Sequence, residues 1–240
     1  MTDHATDSTV RRTAAASASL YFVLLFVVPP DGPPVETASS DQIRSYYTEN
    51  ASALHASALA AAAAGPAVIV FCAAIAQLVA RRAAWSFWPP AMVAGGVLIA
   101  VWHWVTAAIE ANIAVQGLDG TDLASVDDGV VAAWYAMTNV GHLFGDLAMS
   151  AIVLTLASMS WGCRHSEVLP AWLSWCGLSV AAAGAVGVVG VTLAVGPLAN
   201  AWFIGLFGWT VWVPTVAILL LVRPLREVAG HEVHPEVHTG

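Results

Sequence analysis

The stretch YAMTNVGHLFGDLAMS, residues 135–150, places a histidine and a carboxylate four residues apart within an otherwise apolar run. Residues four apart share one helix face, so His142 and Asp146 could pair, pass a proton or ligate a cation. Asn139 and Tyr135 continue the same face at steps of three and four residues. Because ionisable groups are costly in hydrocarbon, such residues indicate either a structural contact or a functional path.

A second polar group lies in the preceding apolar stretch. His103 and Glu110 are seven residues apart and share a helix face, with Thr106 beside them. A short loop joins the two stretches, which predicts antiparallel neighbouring helices. We call the predicted contact between them the polar seam; its residues are His103, Glu110, Tyr135, Asn139, His142 and Asp146. Counting inward from the helix boundaries places His103 and His142 near the membrane midplane, and Asp146 opposite Gly95 and Gly96.

Three hypotheses for the seam follow from its residue types. The favoured one is a structural hydrogen-bonded cluster that joins the third and fourth helices. The second is a proton, ion or small-ligand site for transport or sensing, since intramembrane ionisable residues mark such paths. The third is a haem or divalent metal site with His103 and His142 as ligands. No catalytic or phosphate-binding motif is present, so the chain is not expected to be an enzyme.

Composition indicates that the seam lies in a membrane. Of the 240 residues, 58% are apolar and 10% are charged, and the mean hydropathy is +0.73. Soluble domains carry about 25% charged residues, so the lipid bilayer is the expected partner. A net charge of −8 and the lack of a basic patch exclude nucleic acid. A protein partner or a second copy stays open.

Six apolar segments are long enough to cross a bilayer as helices, because about 20 residues are needed. They predict an all-α bundle over 14–222, preceded by a tail at 1–13 and followed by a His- and Glu-containing, disordered tail at 223–240. The spans are 14–30, 56–80, 89–114, 130–158, 171–195 and 200–222. Seven of the eight arginines fall on one side of this arrangement, and only Arg44 on the other. Both termini of a multi-pass cell-membrane protein are therefore expected in the cytoplasm.

Small residues predict where the helices touch. Gly184, Gly187 and Gly190 recur every three residues in the fifth span, and Gly141 and Gly145 form a GxxxG pair in the fourth. Proline in a helix frees a carbonyl four residues earlier. A neighbour or water must therefore satisfy the carbonyl released by Pro66 in the second span. Trp209 and Trp212 lie deeper than an interfacial belt, so we expect them to pack within the bundle.

The segment between the first two spans is acidic and proline-rich. Residues 39–59 are expected to form an amphipathic helix whose Ile43, Tyr46, Tyr47 and Leu54 face the membrane surface. The stretch from 24 to 62, with its run Ile43-Arg44-Ser45-Tyr46-Tyr47, resembles uncharacterised multi-pass membrane proteins of actinobacteria. That resemblance implies a bacterial plasma-membrane protein and assigns no catalytic residue.

Overall fold

The computed structural model of the chain describes residues 2–27, 38–82, 87–118, 125–143 and 145–222. Throughout these residues the regular structure is helical, which confirms the all-α fold class. The helices are α1 (Thr2–Leu24), α2 (Ser40–Ala80), α3 (Trp88–Leu118), α4 (Asp128–Leu143), α5 (Gly145–His165), α6 (Ala171–Thr192), α7 (Gly196–Ala199) and α8 (Ala201–Val222).

Several helices are membrane-like by length and composition. A search of the described residues finds five: Ser40–Ala80, Trp88–Ile109, Leu147–His165, Ala171–Thr192 and Gly196–Val222. Helix α1 is not among them, so the predicted span at 14–30 stays a prediction. The fourth expected span, 130–158, corresponds to two helices, α4 and α5, and the second of these continues to His165. Phe144, between them, lies outside the described residues.

The six long helices form a closed ring. Each of α1, α2, α3, α5, α6 and α8 packs against the next in this order, and α8 packs back against α1. Successive members run in opposite directions. The α3–α5 contact confirms that the chain after the loop packs beside the third helix. Polar side chains that point to the centre of this ring are thereby removed from lipid.

Glycines set the close contact between α6 and α8, as their spacing predicts. Gly184, Gly187 and Gly190 are all buried. A Cβ on Gly187 would collide with the backbone of Trp202, and one on Gly205 would lie 2.7 Å from the Cα of Gly184. Lipid provides no hydrophobic drive between helices, so this close approach supplies the packing energy.

Arginines Arg11, Arg81 and Arg164 lie together at one end of the ring, which we call the arginine end. Arg81 follows α2, and Arg164 is in the last turn of α5. The start of α3 lies at the same end, because a Cβ on Gly162 would lie 3.2 Å from Trp88. Arg44, near the start of α2, is at the opposite, distal end. This distribution along the bundle is the one that the sequence predicts.

Two of these arginines fix the start of α1. Arg11 donates to the Leu220 carbonyl at 2.6 Å, and this carbonyl is in the last turn of α8, where helical amide partners are missing. Arg81 pairs with Asp7 at 2.7 Å. Burial, and after it the charge of Arg82, lowers the pKa of the Arg11 guanidinium, while Asp7 raises it. The basic side chains therefore hold three helix ends together.

Helix α2 extends well beyond the bilayer. Its 41 residues span about 60 Å, twice the roughly 30 Å of a hydrocarbon core. A capping box begins it: the Gln42 amide donates to Ser39 Oγ, and the Gln42 side chain accepts from the Ser39 amide. The helix predicted over residues 39–59 is therefore present, as the first half of α2.

The apolar residues of that first half do not face the membrane surface, so this expectation was wrong. They form a small second core with α4, which we call the distal cluster; its buried residues are Ile43, Tyr47, Leu54, Val131 and Tyr135. Tyr46 packs against it. Pairing with α4 buries these side chains more completely than an interface could, which explains the difference from the predicted surface helix.

Candidate functional site

The one seam histidine whose side chain is described lies in the interior of the ring. His103 on α3 is 3% exposed, and its Nε2 is 3.3 Å from the Tyr21 hydroxyl on α1. The two rings meet edge to face, with centroids 5.7 Å apart. Helix α3 packs mainly against α2 and α5, so this contact crosses the centre of the ring.

Trp209 on α8 completes the group. Its indole N–H donates to the Tyr21 hydroxyl at 3.2 Å, and the two rings are edge to face at 6.1 Å. Trp209 is 1% exposed and stacks on Trp212, whose own N–H donates to the Leu173 carbonyl on α6 at 3.1 Å. Both tryptophans pack within the bundle, as predicted. We call Tyr21, His103 and Trp209 the tyrosine junction.

Hydrogen-bond chemistry defines what the tyrosine junction can do. The indole of Trp209 is only a donor, so the Tyr21 oxygen accepts from it. The hydroxyl proton of Tyr21 can then be donated to His103 Nε2 when the imidazole proton is on Nδ1. In the other tautomer, Nε2 donates to the remaining lone pair. Both tautomers of the neutral imidazole satisfy the contact, so it needs no fixed charge.

The sequence of α1 explains how Tyr21 reaches the centre. Ala14, Ala18 and Tyr21 follow helical steps of four and three, and all three are buried. The small alanines allow α1 to approach α2 and α8 closely before the tyrosine projects inward. Leu20 and Val23, on other faces of the helix, are more than half exposed. One helix face therefore carries the polar group, and another is free to meet lipid.

A second connection crosses from α3 to α2 at Pro66. The proline lacks an amide hydrogen, so the carbonyl of Ala62, four residues earlier, has no helical donor. Trp104 Nε1 donates to that carbonyl at 3.1 Å. Gly65 makes this possible, because a Cβ there would lie 2.6 Å from Trp104 Nε1. The expectation that a neighbour satisfies this carbonyl is confirmed.

The structure does not bring the described seam residues to one place. His103 belongs to the tyrosine junction, whereas Tyr135 belongs to the distal cluster. The side chains of the other four lie outside the described residues: Glu110 on α3, Asn139 and His142 on α4, and Asp146 on α5. Their mutual contact stays a prediction.

The register between α3 and α5 differs from the expected one. A Cβ on Gly95 would contact Thr155, and one on Gly96 would contact Cys72 of α2. Asp146 is therefore not opposite these glycines. It lies nine residues, about 14 Å, from Thr155, and the antiparallel register makes it level with Trp104. Counting inward from sequence boundaries misjudged the depth because α5 extends to His165 and shifts the pairing along the axis.

The distal end carries the shortest ion pair of the described residues. Arg44 Nη2 lies 2.5 Å from an Asp128 oxygen and 2.6 Å from the Val126 carbonyl. Its side chain is 15% exposed, against 75% for Asp128. The contact ties the first half of α2 to the start of α4, beside Tyr135. These groups are arranged for a structural connection between helices.

The haem hypothesis stays a prediction. In the structure His103 Nε2 lies 3.3 Å from the Tyr21 hydroxyl, so iron binding at this nitrogen would require Tyr21 to move away. The second expected ligand, His142, has a side chain outside the described residues. A search of the described part of the chain finds no group of three His, Cys, Asp or Glu residues that could hold a metal ion.

Sequence reasoning overlooked Tyr21 and Trp104. Tyr21 was visible only as a polar aromatic residue inside a predicted span. Trp104 had a usable signal, because Pro66 required a donor at matching depth on a neighbouring helix. Comparison of the chain with protein-family models, curated proteins and solved structures gives no match. The resemblance to actinobacterial membrane proteins therefore stays a prediction.

Proposed function

We propose that this helical, membrane-like protein is a structural multi-pass protein of the cell membrane, in which intramembrane polar groups connect helices. The tyrosine junction is the observation that supports this most. It uses one side chain from each of α1, α3 and α8, and each polar atom that meets there has a protein partner.

Energetics favour this role. A hydrogen bond between transmembrane helices contributes about 0.6 kcal/mol on average and up to about 1.7. Three indole N–H groups make such bonds: Trp104 to α2, Trp209 to α1 and Trp212 to α6. Leaving a buried donor unpaired costs more than the bond gains, and Trp209 and Trp212 are buried. Satisfying their N–H groups inside the bundle therefore favours one arrangement of helices.

The same structural role is proposed for the remaining seam residues, Glu110, Asn139, His142 and Asp146. Transport or sensing of a proton, ion or small ligand is the second candidate. The backbone register motivates it, because position 146 of α5 is level with Trp104 of α3, one residue from His103. A histidine and a carboxylate at one depth can exchange a proton. Binding of haem or metal at His103 Nε2 would require Tyr21 to move away.

A double-mutant cycle on the tyrosine junction tests the structural role. Tyr21→Phe and Trp209→Phe are made singly and together in the full chain. Each single change is expected to lower the apparent unfolding midpoint in detergent by about 2–4 °C for each kcal/mol lost. A coupling of about 0.6–1.7 kcal/mol is expected. Trp102→Phe is the control, because the buried Trp102 N–H has no partner among the described residues.

Functional readouts separate the hypotheses. A structural protein in liposomes shows no proton or ion flux above that of empty vesicles, and its unfolding midpoint does not respond to added metal. If the role is structural, His142→Ala and Asp146→Ala are expected to lower the unfolding midpoint and to leave the flux and the response to metal unchanged. Flux abolished by Asp146→Ala, with the midpoint unchanged, would establish the transport hypothesis instead. A Soret band in protein expressed with adequate haem would establish the cofactor hypothesis.

Orientation has its own test. The positive-inside pattern predicts that the loop containing Asp122 faces the outside of the cell. Asp122→Cys, in a chain whose exposed Cys176 is replaced by serine, is expected to react with an impermeant maleimide in intact cells. Labelling only after lysis would reverse the proposed orientation.

A further inference from the structure

Arg164 lies in a different environment from Arg44 and Arg81, which form the ion pairs of the described residues. It lies in the last turn of α5, and its guanidinium carbon is 4.2 Å from the centre of the Trp175 ring on α6. The ion pairs of the described residues involve Arg44 and Arg81, and none involves Arg164. Its charge is therefore held over an aromatic face and is not neutralised by a carboxylate in this part of the chain.

Other exposed tryptophans lie close in sequence to Arg164 and to Trp175. Trp172 and Trp175 are 52% and 51% exposed and lie three residues apart, on one face of α6. Trp161, one turn before Arg164, is also exposed, and its ring contacts His165. Tryptophan is enriched where the apolar part of a membrane meets its headgroups. Arg164 therefore lies at the depth expected for lipid phosphates.

The guanidinium keeps its hydrogen-bonding edge when it stacks on a ring. Arginine presents five N–H donors in one plane, and stacking uses the face of that plane. The edge matches two oxygens of a phosphate. The half-exposed rings of Trp172 and Trp175 supply apolar surface beside the charge, where the glycerol and upper acyl chain of a lipid would lie.

We propose that Arg164, Trp172 and Trp175 form a binding site for the phosphate headgroup of an anionic phospholipid at the arginine end. Charge complementarity selects this occupant, because Arg164 has no carboxylate partner among the described residues and lies against an exposed tryptophan of the kind found at headgroup level. General attraction to an anionic membrane surface contributes about five-fold in binding for each basic residue, equivalent to roughly 1 kcal/mol. A site at Arg164 adds the hydrogen bonds of its guanidinium to the phosphate. This site lies apart from the tyrosine junction and does not depend on its proposed role.

The test compares nanodiscs of phosphatidylcholine with and without phosphatidylglycerol. The full wild-type chain is expected to unfold at a higher temperature as the phosphatidylglycerol fraction rises. Arg164→Gln is expected to bind phosphatidylglycerol more than about five-fold more weakly than wild type in native mass spectrometry, whereas Arg12→Gln loses no more than the roughly five-fold of general surface charge. Arg164→Lys is expected to bind with an affinity between those of wild type and Arg164→Gln. Arg12→Gln is the matched control, because Arg12 is an exposed arginine in α1, one residue after the Arg11 that binds α8.

Three outcomes would overturn the proposal. The first is equal stabilisation of wild type by both nanodisc compositions. The second is equal loss of lipid binding in Arg164→Gln and Arg12→Gln, which would indicate general surface charge. The third is full stabilisation by millimolar inorganic phosphate in phosphatidylcholine nanodiscs, which would replace the lipid with a free anion. Because Arg164 is exposed, its variants should fold, and an unchanged midpoint in pure phosphatidylcholine checks this.

Discussion

Replacing Trp104 with phenylalanine removes one hydrogen-bond donor at the point where Pro66 interrupts α2. The aromatic ring is kept in part, and the N–H that reaches the Ala62 carbonyl at 3.1 Å is lost. No amide of α2 can replace it, because the residue four positions later is the proline. The carbonyl is then left without its interhelical partner, and α2 and α3 lose a connection.

The size of the effect follows from the bond that is lost. Hydrogen bonds between transmembrane helices contribute about 0.6 kcal/mol on average and up to about 1.7. For a chain of this length, 1 kcal/mol corresponds to roughly 2–4 °C in the unfolding midpoint. Trp104→Phe is therefore expected to lower the midpoint by roughly 1–7 °C. Trp104 is partly exposed, so the loss of ring packing adds little.

The assay is thermal unfolding in one detergent, with two comparisons. Trp102→Phe, two residues earlier on α3, removes the same ring atoms. The N–H that it removes has no partner among the described residues. This substitution should shift the midpoint less than Trp104→Phe. Pro66→Ala supplies an amide that can donate to the Ala62 carbonyl. In that background, Trp104→Phe is expected to cost at least about 0.5 kcal/mol less, the level at which coupling between contacting residues is measurable.

Two results would refute this reasoning. If Trp102→Phe and Trp104→Phe lower the midpoint equally, the bond to the carbonyl contributes nothing beyond ring volume. If the cost of Trp104→Phe is the same with proline or alanine at position 66, the freed carbonyl is not what Trp104 stabilises.

Two further predictions concern the ends of the bundle and its glycine contact. Gly187→Ala is expected to cost roughly 1–3 kcal/mol, because its Cβ would meet the backbone of Trp202; Gly196→Ala, which meets nothing within 4 Å, is the control in the same unfolding assay. Equal shifts for the two would contradict the close α6–α8 approach. Removing Arg44 and Asp128 singly and together should give a small coupling that falls as salt is added, since Asp128 is mostly exposed. A larger, salt-independent coupling would show that the pair is shielded from solvent.

The helical fold class and most of the membrane-like segments could be predicted from the sequence, because hydropathy over about 20 residues is a local property. The division of residues 130–158 between α4 and α5 was not predicted. The glycine spacing at Gly184, Gly187 and Gly190 predicted the α6–α8 contact for a similar reason. Residues three apart return to nearly the same helix face whatever the fold. Likewise, because Pro66 has no amide hydrogen, the sequence alone predicts that the Ala62 carbonyl needs a donor from outside α2.

The partners of polar groups could not be predicted in this way. His103 was assigned to a seam with the following helix, yet the Tyr21 hydroxyl of α1 lies 3.3 Å from it. Tyr135 lies in the distal cluster with Leu54 of α2, against which Ile109 of α3 also packs. The contacts with α1 and α2 were not foreseen, because only helices consecutive in sequence were considered as neighbours. In a closed ring, a side chain that points inward meets helices from anywhere in the chain.

By itself, the sequence determined that this protein is an all-α, membrane-like bundle, that Arg11, Arg81 and Arg164 lie at the end opposite Arg44, and that a carbonyl near Pro66 needs a donor. Only the tertiary structure decided that Trp104 supplies that donor and that Tyr21 joins His103 to Trp209. The physical reason is that the length and hydropathy of a segment are local properties of the sequence. The rotation of each helix and its axial register are set by how all six pack together at once.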